Sequence, residues 1–233
     1  MEIKEYYRKI NAQSQQILEQ SLDISFLGKI NDFTSALELW RNSISLIDQK
    51  ELINKSIEQI ELSSVMLLNG FYRSAFIHLR LSLEILYGSI FFSTNLMDFR
   101  EWKLGKKDNQ WNAIIDVDNG ILSKRFASVF FPELKDTVME YYTDSKILYR
   151  ELSEYVHGNY STWEIHSPTL SYNDELIQKY DEFLKKYTAT AHFILCLRYL
   201  KEINKLDLEA LEHEVMDILG HVAEIRVFFG GQR

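Results

Sequence analysis

The sequence predicts an all-α protein, an up-and-down helical bundle with an additional helical segment at its amino terminus. Three observations lead there. Only two prolines and nine glycines occur in 233 residues, too little punctuation for the many turns of a strand-rich fold. Apolar residues recur at spacings of three, four and seven along most of the chain, the signature of one helix face. A hydrophobic content of 46% suffices for a single core of moderate size. Residues 1–47 are expected to form the amino-terminal helical segment and 48–233 the bundle with a closing carboxyl-terminal helix. No internal repeat or low-complexity linker divides the chain.

Taken in order, Ile3, Tyr6, Tyr7, Ile10, Ile17 and Leu18 mark an amphipathic helix over 2–21. A second is expected over 32–47. Asp48 stands three residues ahead of Glu51, a capping-box spacing, before Leu52, Ile53, Ile57, Ile60 and Leu62. That helix should stop at Gly70 in a left-handed turn. From Phe71 to Phe92 the chain is apolar around most of its circumference and reads as the central buried helix, with Arg80 and Glu84 four apart as an ion pair. The pattern weakens over 94–110, and short helical stretches are expected at 110–117 and 119–130. After Pro132 a well-patterned helix runs over 133–157, followed by a long loop to Asn173, a helix from Asp174 to about 203 and a last helical segment over 206–229.

Composition excludes several classes. The single cysteine, Cys196, lies in an apolar run and is expected to be a buried side chain rather than part of a disulfide or zinc framework. The polar start MEIKEYYRKINAQSQQ lacks the apolar core of a secretion signal, and no uninterrupted apolar run reaches the length of a membrane span. A cytoplasmic protein without a membrane partner is expected. A net charge of -8 disfavours coating of nucleic acid by bulk attraction but allows a local basic cleft.

The most informative stretch is Tyr149-Arg150-Glu151-Leu152-Ser153-Glu154-Tyr155-Val156-His157-Gly158-Asn159. Seven helical steps bring His157 back to within about 20° of Arg150, roughly 10 Å along the axis. Both can face one cleft. An arginine that grips a phosphate bidentately beside a histidine that moves protons near neutral pH suffices for RNA cleavage without metal. The alternative for His157 is a helix-end histidine serving the macrodipole. A looser match, Arg73 to His78, places its ends about 140° apart on a helix, so they do not face one site. In the long loop, His166, close to Trp163, is a candidate for hydrogen-bonding RNA or stacking on a base, with ordinary loop packing as the alternative.

The helix Gly70-Phe71-Tyr72-Arg73-Ser74-Ala75 through Leu83-Glu84, paired with the later helix ending Arg150-Glu151-Leu152-Ser153-Glu154-Tyr155-Val156-His157-Gly158, resembles the higher eukaryotes and prokaryotes nucleotide-binding (HEPN) superfamily. The resemblance covers about residues 49–203. Many members are metal-independent ribonucleases with an arginine, four to six intervening residues and a histidine; here six intervene. The resemblance implies that Arg150 contacts the scissile phosphate and that His157 transfers a proton as the ribose 2′-hydroxyl attacks. Glu151 stands where active members often carry Asn, Asp or His, and with Asn159 and Tyr160 it is a candidate supporting residue. Family dimers put two motifs in one cleft, so a homodimer acting on RNA is implied, with no cofactor and no metal. A bacterial toxin or antiviral effector restrained by an antitoxin or a sensor ATPase is the implied setting.

Other chemistries lack local support. The chain has no Gly-rich phosphate loop, no His-Glu-x-x-His helix and no nucleophile elbow. Glu154 and His157 form a lone Glu-x-x-His element, where a di-iron bundle takes one from each of two helices. The competing reading is a non-catalytic, HEPN-like interaction or regulatory subunit. Thirteen tyrosines and fourteen phenylalanines can serve both a core and a partner-facing patch. A nucleotide-binding bundle is a third, distinguished by ligand-dependent melting.

Overall fold

The computed structural model describes residues 2–22, 25–157, 159–162 and 170–232, without the side chain of Ser161. Among them helix is the sole regular secondary structure, with no strand. The helices are α1 (Ile3–Ser21), α2 (Leu27–Ser43), α3 (Ile47–Leu68), α4 (Tyr72–Phe92), α5 (Leu96–Lys103), α6 (Trp111–Ile114), α7 (Lys124–Phe130), α8 (Val138–Val156), α9 (Asp174–Tyr199), α10 (Lys205–Leu219) and α11 (Ala223–Phe228). The fold class is that of an all-α bundle, as the apolar spacing predicts.

The bundle is built on α4. Its Ala75, Phe76, Leu79, Leu83, Leu86, Tyr87 and Ile90 are fully buried, and α3, α8 and α9 all pack against it. By length and composition α4 is also apolar enough to cross a membrane, but 61% of its most apolar window is buried inside the bundle, as befits a core helix. From α2, Phe33, Leu37 and Trp40 enter the same core, with the Phe33 ring edge-on to Tyr187 of α9 at 5.0 Å.

Ser56 and Ser63, one seven-residue step apart on α3, and Ser82 on α4 let α3, α4 and α9 approach one another. Ser63 donates to the Ala75 carbonyl at 2.6 Å and lies 2.9 Å from the Tyr180 hydroxyl. Ser82 donates to the Ser56 carbonyl at 2.9 Å, and its oxygen lies 2.9 Å from the Tyr187 hydroxyl. Each buried hydroxyl thereby has a partner, without which burial would be costly. Burial pushes the Tyr180 and Tyr187 hydroxyls well above the ordinary phenol range.

Gly70 ends α3 as expected. Its φ is +81°, the Phe71 N–H donates to the Met66 carbonyl at 2.8 Å and the Gly70 N–H to the Leu67 carbonyl at 3.0 Å, the paired bonds of a Schellman stop. A Cβ here would stand 2.6 Å from Cδ1 of Ile17, the side chain that anchors α1. Gly70→Ala is therefore expected to cost about 1–2 kcal/mol, the left-handed penalty for an L-residue; denaturant titration measures it.

Several boundaries differ from the sequence expectation. The second helix begins at Leu27 rather than 32 and ends at Ser43, because Ile44 turns extended with ψ 141°. Asp48 does not cap α3: the cap position is Leu46, with no side-chain bond. Asp48 sits inside the first turn and pairs with Lys103 at 3.0 Å. The weak region at 94–110 contains α5, whose Phe99 buries against Phe92 and Leu52 in a satellite cluster. The stretch over 133–157 opens with a 3-10 turn, Pro132–Lys135, before α8. The closing segment is two helices, interrupted after Gly220, where a Cβ would meet the Met216 carbonyl at 2.4 Å.

Candidate functional site

The candidate site is carried by α8, and packing fixes which way that helix faces. Tyr141, Ser145, Leu148, Leu152 and Tyr155 are buried. The Tyr141 ring stacks on Phe193 of α9 at 3.7 Å, and Ser145 meets the Tyr87 hydroxyl of α4 at 2.7 Å. Tyr149 adds a lock beside this face. Its hydroxyl donates to Glu84 at 2.9 Å and accepts from Arg80 at 2.5 Å, while its ring stacks on Trp111 at 3.9 Å. The expected Arg80–Glu84 pair is present at 3.0 Å, and it serves to hold α8. Burial raises the Tyr149 hydroxyl pKa, against the lowering effect of Arg80.

With those residues inward, Lys146, Arg150, Ser153 and His157 fall within about 60° of one another on the far side of the helix. Arg150 and His157 are both exposed. Neither side chain forms a hydrogen bond or ion pair with another described residue. Lys146, also exposed, lies 5.7 Å from the Tyr142 ring and extends the cationic stripe one turn back. His157 is the C-cap of α8, with its N–H donating to the Ser153 carbonyl at 3.0 Å. This is the position the helix-end reading of His157 requires, for the carbonyl end of a helix is the one its macrodipole makes negative.

The supporting candidates divide. Glu151 turns toward α9, with its carboxylate 3.6 Å from Lys186, and so lies about 100° from Arg150 around the helix. Asn159 is exposed and its amide donates to the Glu154 carboxylate. Tyr160 is 83% exposed and opens a short 3-10 turn that the Thr162 N–H closes on the Asn159 carbonyl at 2.8 Å. Gly158, Trp163 and His166 lie outside the described residues.

Arg73 and His78 part company, as their angular separation predicts. His78 Nδ1 lies 2.7 Å from Gln59 Oε1 on α3. Arg73 reaches α8, where its Nε–H donates to the Tyr155 carbonyl at 2.6 Å. Sequence reasoning missed this contact, for a bond across 82 positions leaves no local pattern. Lys179 of α9 stands over the Tyr155 ring from a further side, at 5.6 Å.

Two other titratable groups are sealed in the core. Burial pushes the Cys196 thiol up. His192 is fully buried, its Nδ1 paired with the Thr188 carbonyl at 2.7 Å, and burial lowers its pKa from 6.5 to about 4. The neutral form is thus required in the folded state. Between those two values the unfolded chain binds the proton and the folded one does not, so stability is lost as pH falls from about 6.5 to about 4. The loss from this group should approach about 3 kcal/mol. Denaturant titrations across that window should show a shallower acid loss in His192→Gln. Among the described residues no three His, Cys, Asp or Glu side chains gather as a metal-binding group.

Compared with protein-family models, with curated proteins and with solved structures, the chain matches none.

Proposed function

We propose that the chain is a metal-independent endoribonuclease of HEPN type, working through Arg150 and His157. One observation supports this above the rest: the two side chains share the outward stripe of α8, both exposed and both without a side-chain partner among the described residues. In this reading Arg150 binds the scissile phosphate through its guanidinium and stabilises the charge that builds on the equatorial oxygens. The ribose 2′-oxygen attacks phosphorus, the bond to the 5′-oxygen breaks, and the proton lost by the 2′-hydroxyl is balanced by one delivered to the leaving 5′-oxygen. The products are a 2′,3′-cyclic phosphate and a 5′-hydroxyl.

In-line attack needs a base on one side of phosphorus and an acid on the other. Among the described residues one chain brings a single histidine to this stripe, so two copies facing each other through α8 would supply both. Nothing described from the same chain stands over the stripe to obstruct that pairing. A cytoplasmic toxin or defence effector, held in check by an antitoxin or sensor ATPase, belongs to the same proposal and rests on the motif's resemblance.

The test is cleavage of a structured RNA with chelator present, comparing the parent with Arg150→Ala and His157→Ala. Both variants should lose activity; unchanged cleavage in both would remove the site. An inactive parent that dimerises normally would favour the non-catalytic subunit instead.

A further inference from the structure

The turn that carries His157 is held from outside its own helix, and the arrangement singles out one residue. We propose that Arg73 is a positioning residue for His157, an inference that rests on the ribonuclease reading of the Arg150–His157 pair.

Arg73 lies in the first turn of α4 and is half-buried. Its Nε–H donates at 2.6 Å to the carbonyl of Tyr155, two residues before His157. The last carbonyls of a helix have no partner within it, and a guanidinium bond to one of them is both charge-assisted and aligned with the helix dipole. The same short stretch of α4 reaches the neighbouring side chain and the neighbouring helix. Phe76, one turn on, stacks on the Tyr155 ring at 4.1 Å. Tyr72, one residue earlier, accepts the Asn173 N–H at 2.9 Å through its hydroxyl, where α9 begins.

Tyr155 is thus fixed twice from α4, at its ring by Phe76 and at its backbone by Arg73. The ring contact sets how deeply α8 is buried. The backbone bond sets the path of the final turn, and with it the direction in which the His157 side chain leaves the helix. His157 itself has no side-chain partner among the described residues, so its aim depends on the backbone beneath it. For a group that must meet an in-line geometry at phosphorus, a displacement of about 1 Å can cost about 100-fold in rate.

The experiment uses the full chain and compares the parent with Arg73→Gln and Arg73→Lys. Two readouts are needed. The first is kcat and KM on a single-site RNA with chelator present. Arg73→Gln should lower kcat by about 10- to 100-fold and leave KM within about twofold, because Arg150, the phosphate ligand, is untouched. Arg73→Lys restores a single cationic donor and should recover part of kcat. The second readout is amide hydrogen exchange. Arg73→Gln should speed exchange at Glu154–His157 while α3, α9 and the rest of α8 stay protected.

Unchanged kcat in Arg73→Gln would overturn the proposal. So would a fall in kcat with no change in exchange at the last turn, or faster exchange spread over the whole chain, which would mark a general loss of stability. A rise in KM with constant kcat would also overturn it, placing Arg73 on the substrate instead. Should the parent not cleave RNA, the ribonuclease reading fails, and with it Arg73's part in catalysis; exchange then reports separately whether Arg73 orders the turn.

Discussion

Replacing Phe76 by alanine is expected to lower stability by about 3–5 kcal/mol, the range for emptying a buried aromatic site. The expectation rests on where the ring lies. Phe76 is fully buried on the central helix α4, stacks on Tyr155 of α8 at 4.1 Å, meets Phe183 of α9 edge-on at 5.6 Å and lies 6.0 Å from the Tyr180 ring. One side chain therefore joins three helices, none of which can close the void without moving the others. At about 2–4 °C per kcal/mol for a chain of this size, melting should fall by about 10 °C. Phe76→Leu, which leaves a smaller void, should lose much less. Because Tyr155 lies in the last turn of the helix that carries the candidate site, any folded Phe76→Ala protein should also lose activity at temperatures where it is fully native.

The second large effect is on rate alone. Arg150→Ala and His157→Ala should each lower RNA cleavage by about 100- to 10,000-fold, the usual contribution of a positioned proton-transfer or charge-stabilising group. Stability should change by no more than about 0.5 kcal/mol, as is usual for exposed side chains. The contrast between the two kinds of variant is the informative part: Phe76→Ala moves both melting and rate, whereas the site variants move only rate. Arg150→Lys keeps the charge but loses the bidentate fork, so it should fall between parent and alanine variant. Kinetic titration beside a thermal melt of each protein checks the pattern.

The helical fold was legible because apolar periodicity is a local property. The central helix, the Gly70 stop and the Arg80–Glu84 pair follow from residues within a few turns of each other. What escaped depends on contacts distant in sequence. Asp48 has the spacing of a cap, yet an ion pair with Lys103 and an earlier start to α3 place it inside the helix. Helix α5 is short and weakly patterned on its own, and its order comes from Phe99 packing against Phe92. The seven-residue steps from Ser56 to Ser63 and from Tyr180 to Tyr187 are visible in sequence, but nothing there says that the two series meet.

The candidate site divides in the same way. Periodicity alone puts Arg150 and His157 on one face, and the bundle turns that face outward because Leu148, Leu152 and Tyr155 must turn in. It does not show that Glu151 pairs with Lys186, that Asn159 holds Glu154, or that Arg73 grips the end of α8. The first and last of these are tertiary contacts, Arg73 to a backbone carbonyl 82 positions away, and the Asn159–Glu154 bond depends on how the chain turns after α8.

The central claim is that the 2′-hydroxyl is the nucleophile and that Arg150 and His157 act on its attack without metal. Its most direct test is the chemistry of the cut ends, read with chelator present on a single-site RNA and on the same RNA bearing a 2′-deoxy sugar at the scissile position. The account predicts a 2′,3′-cyclic phosphate and a 5′-hydroxyl from the first and no cleavage of the second. A 5′-phosphate end, or cleavage of the deoxy-substituted RNA at the same position, would contradict it.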